Sequence, residues 1–155
     1  MTIPQTEPAA RADARIIDQL CALIYLDYDA IEAYGAAIDR LDHVGHKEQL
    51  REFLADHRRH TRELGDCVGS LGGTPPLHGD IKRYLTKGKV VLATIAGDRA
   101  ILRAMRSNEQ QTNDAYERAR HELQGTSLEV RRALERGLSD ERRHKAWIEA
   151  QLEGK

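Results

Sequence analysis

Aromatic side chains are scarce: one Phe, one Trp and five Tyr amount to 5% of the 155 residues. Strands favour aromatic and β-branched side chains, so this poverty argues against a β-rich core. Proline is scarcer still, at 4, and 12 glycines are few for a sandwich or barrel of many turns. Neither sign of charge is in excess. The 24 Lys and Arg against 25 Asp and Glu leave a net charge of −1, which excludes the basic footprint of a nucleic-acid or anionic-membrane binder. No apolar run approaches the roughly 20 residues that span a bilayer. Met1-Thr-Ile-Pro-Gln-Thr-Glu-Pro has neither the charged start nor the apolar stretch of a secretory signal. Two cysteines, Cys21 and Cys67, make no disulfide framework and read as reduced thiols, so a cytoplasmic location is expected. With 40% hydrophobic residues the chain is too apolar for disorder. What remains is an all-α protein whose core is built from Leu, Ile, Val and Ala.

Periodicity divides the chain. Residues 1–12 carry two prolines and little pattern, and read as a disordered tail. A helix over about 13–44 has Ile17, Leu20, Ile24, Ile31, Tyr34, Ile38 and Leu41 on one stripe. Gly45 is placed to end it with a left-handed cap. A second helix, about 47–68, carries Leu50, Leu54 and Leu64. The Gly- and Pro-rich stretch that begins at Gly69 opens a crossover, 69–88, with one short helix near Asp80–Leu85. A third helix, about 89–124, shows Val91, Ile95, Leu102, Met105, Thr112 and Tyr116. Thr126-Ser-Leu-Glu129 reads as a capping box before a fourth, about 127–152. Two hairpins with short turns and one long crossover predict a four-helix bundle over 13–152.

The two halves repeat. Moved 82 residues along, Leu20 falls on Leu102, Leu23 on Met105, Asp27 on Glu109 and Ala33-Tyr34 on Ala115-Tyr116. With a two-residue gap in the hairpin turn, Asp56-His-Arg-Arg-His60 falls on Asp140-Glu-Arg-Arg-His144. Amphipathic helices match Leu on Leu freely, but seldom match such a polar pentad in a register that also superposes a carboxylate.

These polar residues interrupt apolar stripes. Glu141 and His144, three apart, share a face with Leu134, Leu138, Ile148 and Leu152. His57 and His60 sit between Leu54 and Leu64, Asp27 is in line with Ile24 and Ile31, and Glu109 with Met105 and Thr112. Each carboxylate faces its partner pair across its own hairpin turn. Buried charges must be paired or must coordinate something, so Asp27, His57, His60, Glu109, Glu141 and His144 are the candidate metal ligands. Oxygen and nitrogen donors suit iron, manganese or zinc. Glu32 is the rival to Asp27 on the first helix. Asp56 and Asp140 are candidate partners of an imidazole N–H, and Tyr34 and Tyr116 of a ligand carboxylate. His43, His46, His78 and His121 are expected in solvent. Arg58, Arg59, Arg142 and Arg143 are expected to point away from the site into surface ion pairs.

A carboxylate on helix one, a ligand pair on helix two, a carboxylate on helix three and Glu-x-x-His on helix four resemble the ferritin-like di-iron carboxylate superfamily. Leu71-Gly-Gly-Thr-Pro, Asp98-Arg-Ala-Ile-Leu and Asn108-Glu-x6-Tyr116 resemble more closely a family of bacterial ferritin-like proteins of unknown function. The resemblance implies two iron ions, with zinc or manganese as alternatives, and a non-haem di-iron oxidoreductase or ferroxidase-like activity toward O2 or peroxide. The chain departs from the superfamily pattern at His57 and Asp27, where that pattern has Glu. A neutral imidazole cannot replace a bridging carboxylate, leaving Glu141 as the one bridge in its usual position. That implies an asymmetric dinuclear centre or a single metal. Two other readings stand beside the redox one: a non-catalytic zinc- or iron-binding or buffering bundle, and a metal-free helical interaction module. With little chain after Leu152, a monomer or homodimer is expected.

Overall fold

A computed structural model describes residues 6–83 and 92–154. Four long helices carry the fold: α1 (Thr6–Arg40), α2 (Val44–Ser70), α3 (Asp98–Glu122) and α4 (Leu128–Glu153). The protein is an all-α, ferritin-like bundle of two hairpins, α1–α2 and α3–α4, joined by a long crossover that contains a 3-10 turn, His78–Arg83. Among the described residues no helix is long and apolar enough to cross a membrane.

Contacts between the hairpins run antiparallel. Along α1 and α3, Gln19 meets Glu122, Asp27 meets Tyr116 and Tyr34 meets Glu109. Along α2 and α4, Glu63 meets Arg136, and Asp56 meets His144. The apolar core is split in two. One cluster gathers Tyr34, Ile38, Leu41, Phe53, Ile101 and Met105, and the other Leu20, Ile24, Leu64, Val68, Leu134 and Leu138. A polar layer separates them.

Several boundaries differ from the sequence reading. α1 begins at Thr6, so residues 6–12 are helix, not tail; residues 1–5 lie outside the described residues. Pro8 falls in the first turn, where no backbone N–H is needed, and Ala9-Ala10-Arg11-Ala12 are strong helix formers. α1 ends at Arg40, and Gly45 lies inside α2 rather than capping α1. The cap of α2 is His43, whose Nδ1 accepts from His46 N at 3.3 Å. α3 starts at Asp98, not near 89, because Gly97 takes φ 91°, a conformation that breaks a helix. Leu92–Thr94 are helical, and 84–91 lie outside the described residues. Asp98 makes its helix start a corner post: its carboxylate accepts from Asp42 N, His43 N and His46 Nδ1 at 2.8–3.1 Å. The short crossover helix is the 3-10 turn, and Leu85 falls outside the described residues. α4 is capped by Ser127 rather than Thr126.

Candidate metal centre

The polar layer is made of the six stripe-interrupting residues. Asp27 comes from α1, His57 and His60 from α2, Glu109 from α3, and Glu141 and His144 from α4; all are at most 2% exposed. Helical spacing places each on a buried stripe, and the two hairpins bring the four stripes to one level. His57 Nδ1 lies 2.9 Å from Asp27 Oδ1 and 3.4 Å from Glu141 Oε1, while its Nε2 lies 3.7 Å from Glu109 Oε1. His60 Nδ1 is 3.3 Å from Asp27 and 3.5 Å from Glu141, and His144 Nδ1 is 3.6 Å from Glu109. Two four-residue groups result: Asp27, His57, His60 and Glu141; and His57, Glu109, Glu141 and His144. In each, one donor atom per residue lies within 4.8 Å of all the others. His57 and Glu141 belong to both.

Around this layer the tyrosine, aspartate and arginine contacts each have a counterpart in the other half. Tyr34 donates to Glu109, and Tyr116 donates to Asp27 at 2.6 Å. His144 Nε2 binds Asp56 at 3.0 Å, and His60 Nε2 binds Asp140 at 3.0 Å. The tyrosines thus serve the carboxylate of the opposite half. Seven residues along a helix is about 10 Å of rise, too far for Tyr34 to reach Asp27, and the antiparallel neighbour supplies Glu109 there instead. Arg59 bridges Asp56 and Asp140, and Arg143 does the same from the other side. These two arginines are therefore not mere surface partners: they hold the carboxylates that hold the imidazoles. Arg142, by contrast, pairs with Glu117 in solvent.

Where α2 and α4 face the layer, the repeat breaks at two places. His57 stands opposite Glu141, and Phe53, in the same register, stands opposite Gly137. Phe53 stacks on His144 with ring centroids 4.2 Å apart. Gly137 leaves room for Tyr116: a Cβ there would lie 2.3 Å from Tyr116 Cε1. Gly→Ala in a helix interior ordinarily stabilises by about 1 kcal/mol. Gly35→Ala, with nothing near its Cβ, is expected to follow that rule. Gly137→Ala is expected to destabilise by about 1–3 kcal/mol through overpacking and to pull Tyr116 off Asp27. Thermal denaturation of the two variants checks this, and equal shifts would refute it.

Other residues that sequence reasoning passed over also tie the layer together. Asn113 Nδ2 donates to the carbonyls of Glu109 and Glu141 at 2.8 and 2.9 Å, locking α3 to α4. Its only signal is a polar residue in the turn after Glu109. Glu32 is not part of the cluster; it meets His78 Nε2 at 2.9 Å, at the surface. His78 also stacks on Tyr28 at 4.9 Å, docking the crossover on α1. His43 and His121 are exposed, and His46 is engaged by Asp98.

Charge in the layer is strongly coupled. Burial would lift the Asp27 carboxyl, but hydrogen bonds from His57 and His60 outweigh it and hold it below its ordinary value. Against the same burial, His144 and His57 bring Glu109 down to about 2. Glu141 stays raised, because burial and the neighbouring Glu109 and Asp27 outweigh His57 and His60. Burial opposes charging of the imidazoles, yet Glu141, Asp27 and Glu109 raise His57 to about 10. Asp140, Asp27 and Glu141 raise His60 to about 12 in the same way.

Hydrogen bonding leaves the layer incomplete. His57 Nε2, Glu109 Oε2, both Glu141 oxygens and His144 Nδ1 are buried with no hydrogen-bond partner. Five such atoms converging on one spot are costly unless something else satisfies them. The donor set, nitrogen and carboxylate oxygen, fits a borderline cation such as iron or zinc.

Family comparison agrees with this architecture. The family described as "Domain of unknown function (DUF2383)" matches residues 15–122. The chain belongs to this family. Its fold is shared with a bacterioferritin-related protein from Bacteroides fragilis, described as a dodecameric thioferritin. That chain is 19% identical, with a TM-score of 0.82 over 92% of this chain and 86% of the other. A ferritin-like, diiron-carboxylate protein from Bacillus anthracis str. Ames is 20% identical, with a TM-score of 0.70 over 90% of this chain and 96% of the other. No curated protein matches the chain. At these identities the likeness shows the ferritin-like fold.

Proposed function

We propose that this DUF2383 protein binds iron in an asymmetric dinuclear centre formed by Asp27, His57, His60, Glu109, Glu141 and His144, and carries out redox chemistry of iron with O2 or peroxide. The observation that supports this is the set of partnerless donor atoms in a layer sealed between two apolar clusters. Their ion-pair neighbours within the layer lie 3.4–3.7 Å away, too far for good hydrogen bonds, and a cation would satisfy all of them at once. The fold shared with a ferritin-like diiron-carboxylate protein points the same way. Bound iron would supply one-electron exchange with the oxidant. The chain's own residues do the rest. Asp56 and Asp140 hold the outer imidazole nitrogens, fixing which nitrogen faces inward. Tyr34 and Tyr116 orient Glu109 and Asp27 through their hydroxyls. Both hydroxyls are held well above their ordinary pKa, by burial first and by the adjacent carboxylates second, so they act as donors.

The test is elemental analysis of untagged protein from iron-supplemented cells, followed by O2 uptake after anaerobic Fe(II) loading. Iron bound at more than one ion per chain, with O2 consumed and a near-ultraviolet band appearing, is the expected result. Bound metal with no O2 uptake would favour the second reading, a metal-storing or metal-stabilised bundle. The near-complete burial of all six groups speaks for that reading. Failure to bind any metal would leave a helical interaction module. Monomer or homodimer remains our proposal for assembly.

A further inference from the structure

We propose that the centre loads unequally: His57, Glu109, Glu141 and His144 take the first ion and hold it tightly, while Asp27 and His60 take a second one weakly. The proposal rests on the metal-binding reading above and adds an order and an asymmetry to it.

The asymmetry lies in what is already satisfied. All five partnerless atoms of the layer belong to the first group, and each of its four residues contributes at least one. An ion placed there breaks no hydrogen bond. The inward nitrogens of that group are also held in place by contacts on the far side of each ring, His57 Nδ1 to Asp27 at 2.9 Å and His144 Nε2 to Asp56 at 3.0 Å. Two imidazoles and two carboxylates are a full tetrahedral set.

The Asp27 side is closed upon itself. Asp27 Oδ1 accepts from His57 and His60, and its Oδ2 accepts from Tyr116 at 2.6 Å. His60 uses one nitrogen on Asp27 and the other on Asp140 at 3.0 Å. Neither residue has a buried polar atom without a partner. An ion on this side must first break bonds that are expensive to leave unmade. The cause is the broken repeat. Glu141 presents carboxylate oxygens to both sides, whereas His57, its counterpart, spends one nitrogen on Asp27 and has only the other to offer, toward Glu109.

Calorimetric titration of the metal-free full-length protein with Zn(II) alone reads this directly. Two steps are expected, the second at least about tenfold weaker, and one zinc per chain should survive desalting. His144→Gln should lose that retained zinc, and His60→Gln should keep it. Two ions bound with indistinguishable affinity would overturn the proposal while leaving the metal-binding reading intact. So would loss of the retained zinc from His60→Gln as complete as from His144→Gln. The wild-type isotherm decides even if a variant does not fold. No zinc bound at any loading would overturn the metal-binding reading, and this proposal with it.

Discussion

Glu141→Ala is expected to abolish most of the metal-dependent stability of the protein in one step. Both candidate groups contain Glu141, so its loss strikes both ions, whereas loss of Glu109 or His60 strikes one. A ligand present at a thousand times its Kd stabilises the folded state by about 4 kcal/mol. For a domain of this size each kcal/mol is worth about 2–4 °C in Tm, so saturating metal should raise the wild-type Tm by roughly 10 °C. Glu141→Ala should keep less than about a third of that rise and should bind at most half the metal of the wild type. Glu32→Ala is the control: its carboxylate meets His78 at the surface, outside the layer. Scanning calorimetry with and without metal, together with elemental analysis, measures both. An undiminished metal-induced shift in Glu141→Ala would remove Glu141 from the centre, and its loss in Glu32→Ala would bring Glu32 into it.

That a carboxylate of α1 joins the layer was legible because face and level are properties of a single helix, and the repeat favoured Asp27 over its rival Glu32 by setting it opposite Glu109. The stripe fixes the face, and distance from the hairpin turn fixes the level. The internal repeat added the opposite carboxylate and with it the bundle. Which hydroxyl reaches which carboxylate was not legible, since it depends on the neighbour across the bundle, and periodicity carries no information about neighbours. Hence Tyr34 on Glu109 and Asp56 on His144 are findings of the structure. Gly137 could have been suspected from its register opposite Phe53, but only the close approach of Tyr116 explains it. Helix ends failed for another reason. Pro8 and Gly45 read as breaks by type, yet one falls where a helix tolerates proline and the other inside a turn capped by His43. Gly97 does break a helix, in a stretch whose apolar spacing alone suggested continuity.

The metal-free protein is expected to be most stable between about pH 4.5 and 6.5 and to weaken toward pH 9. His57 faces Asp27, Glu109 and Glu141; His60 faces Asp27, Asp140 and Glu141; His144 faces Asp56 and Glu109. All three are raised in the folded state, His57 to about 10 and His60 to about 12. A raised imidazole gives its full stabilisation below the unfolded value of about 6.5 and loses it as pH climbs toward the folded one. Asp27 and Glu109 are lowered, so their share is present above about pH 4 and lost on acidification. Glu141 is raised, so it takes back part of that gain as pH climbs above about 4.5. Metal runs the other way. An ion in the first group displaces the extra protons of His57 and His144, so apparent affinity should rise by up to about a hundredfold per pH unit near neutrality. The loaded and metal-free melting curves should therefore draw apart between pH 6 and 8. A metal-free Tm that rises over that interval, or a gap that narrows, would show that the imidazoles are not held protonated by the carboxylates around them. With the gap widening, protons and metal are competing for the same imidazoles.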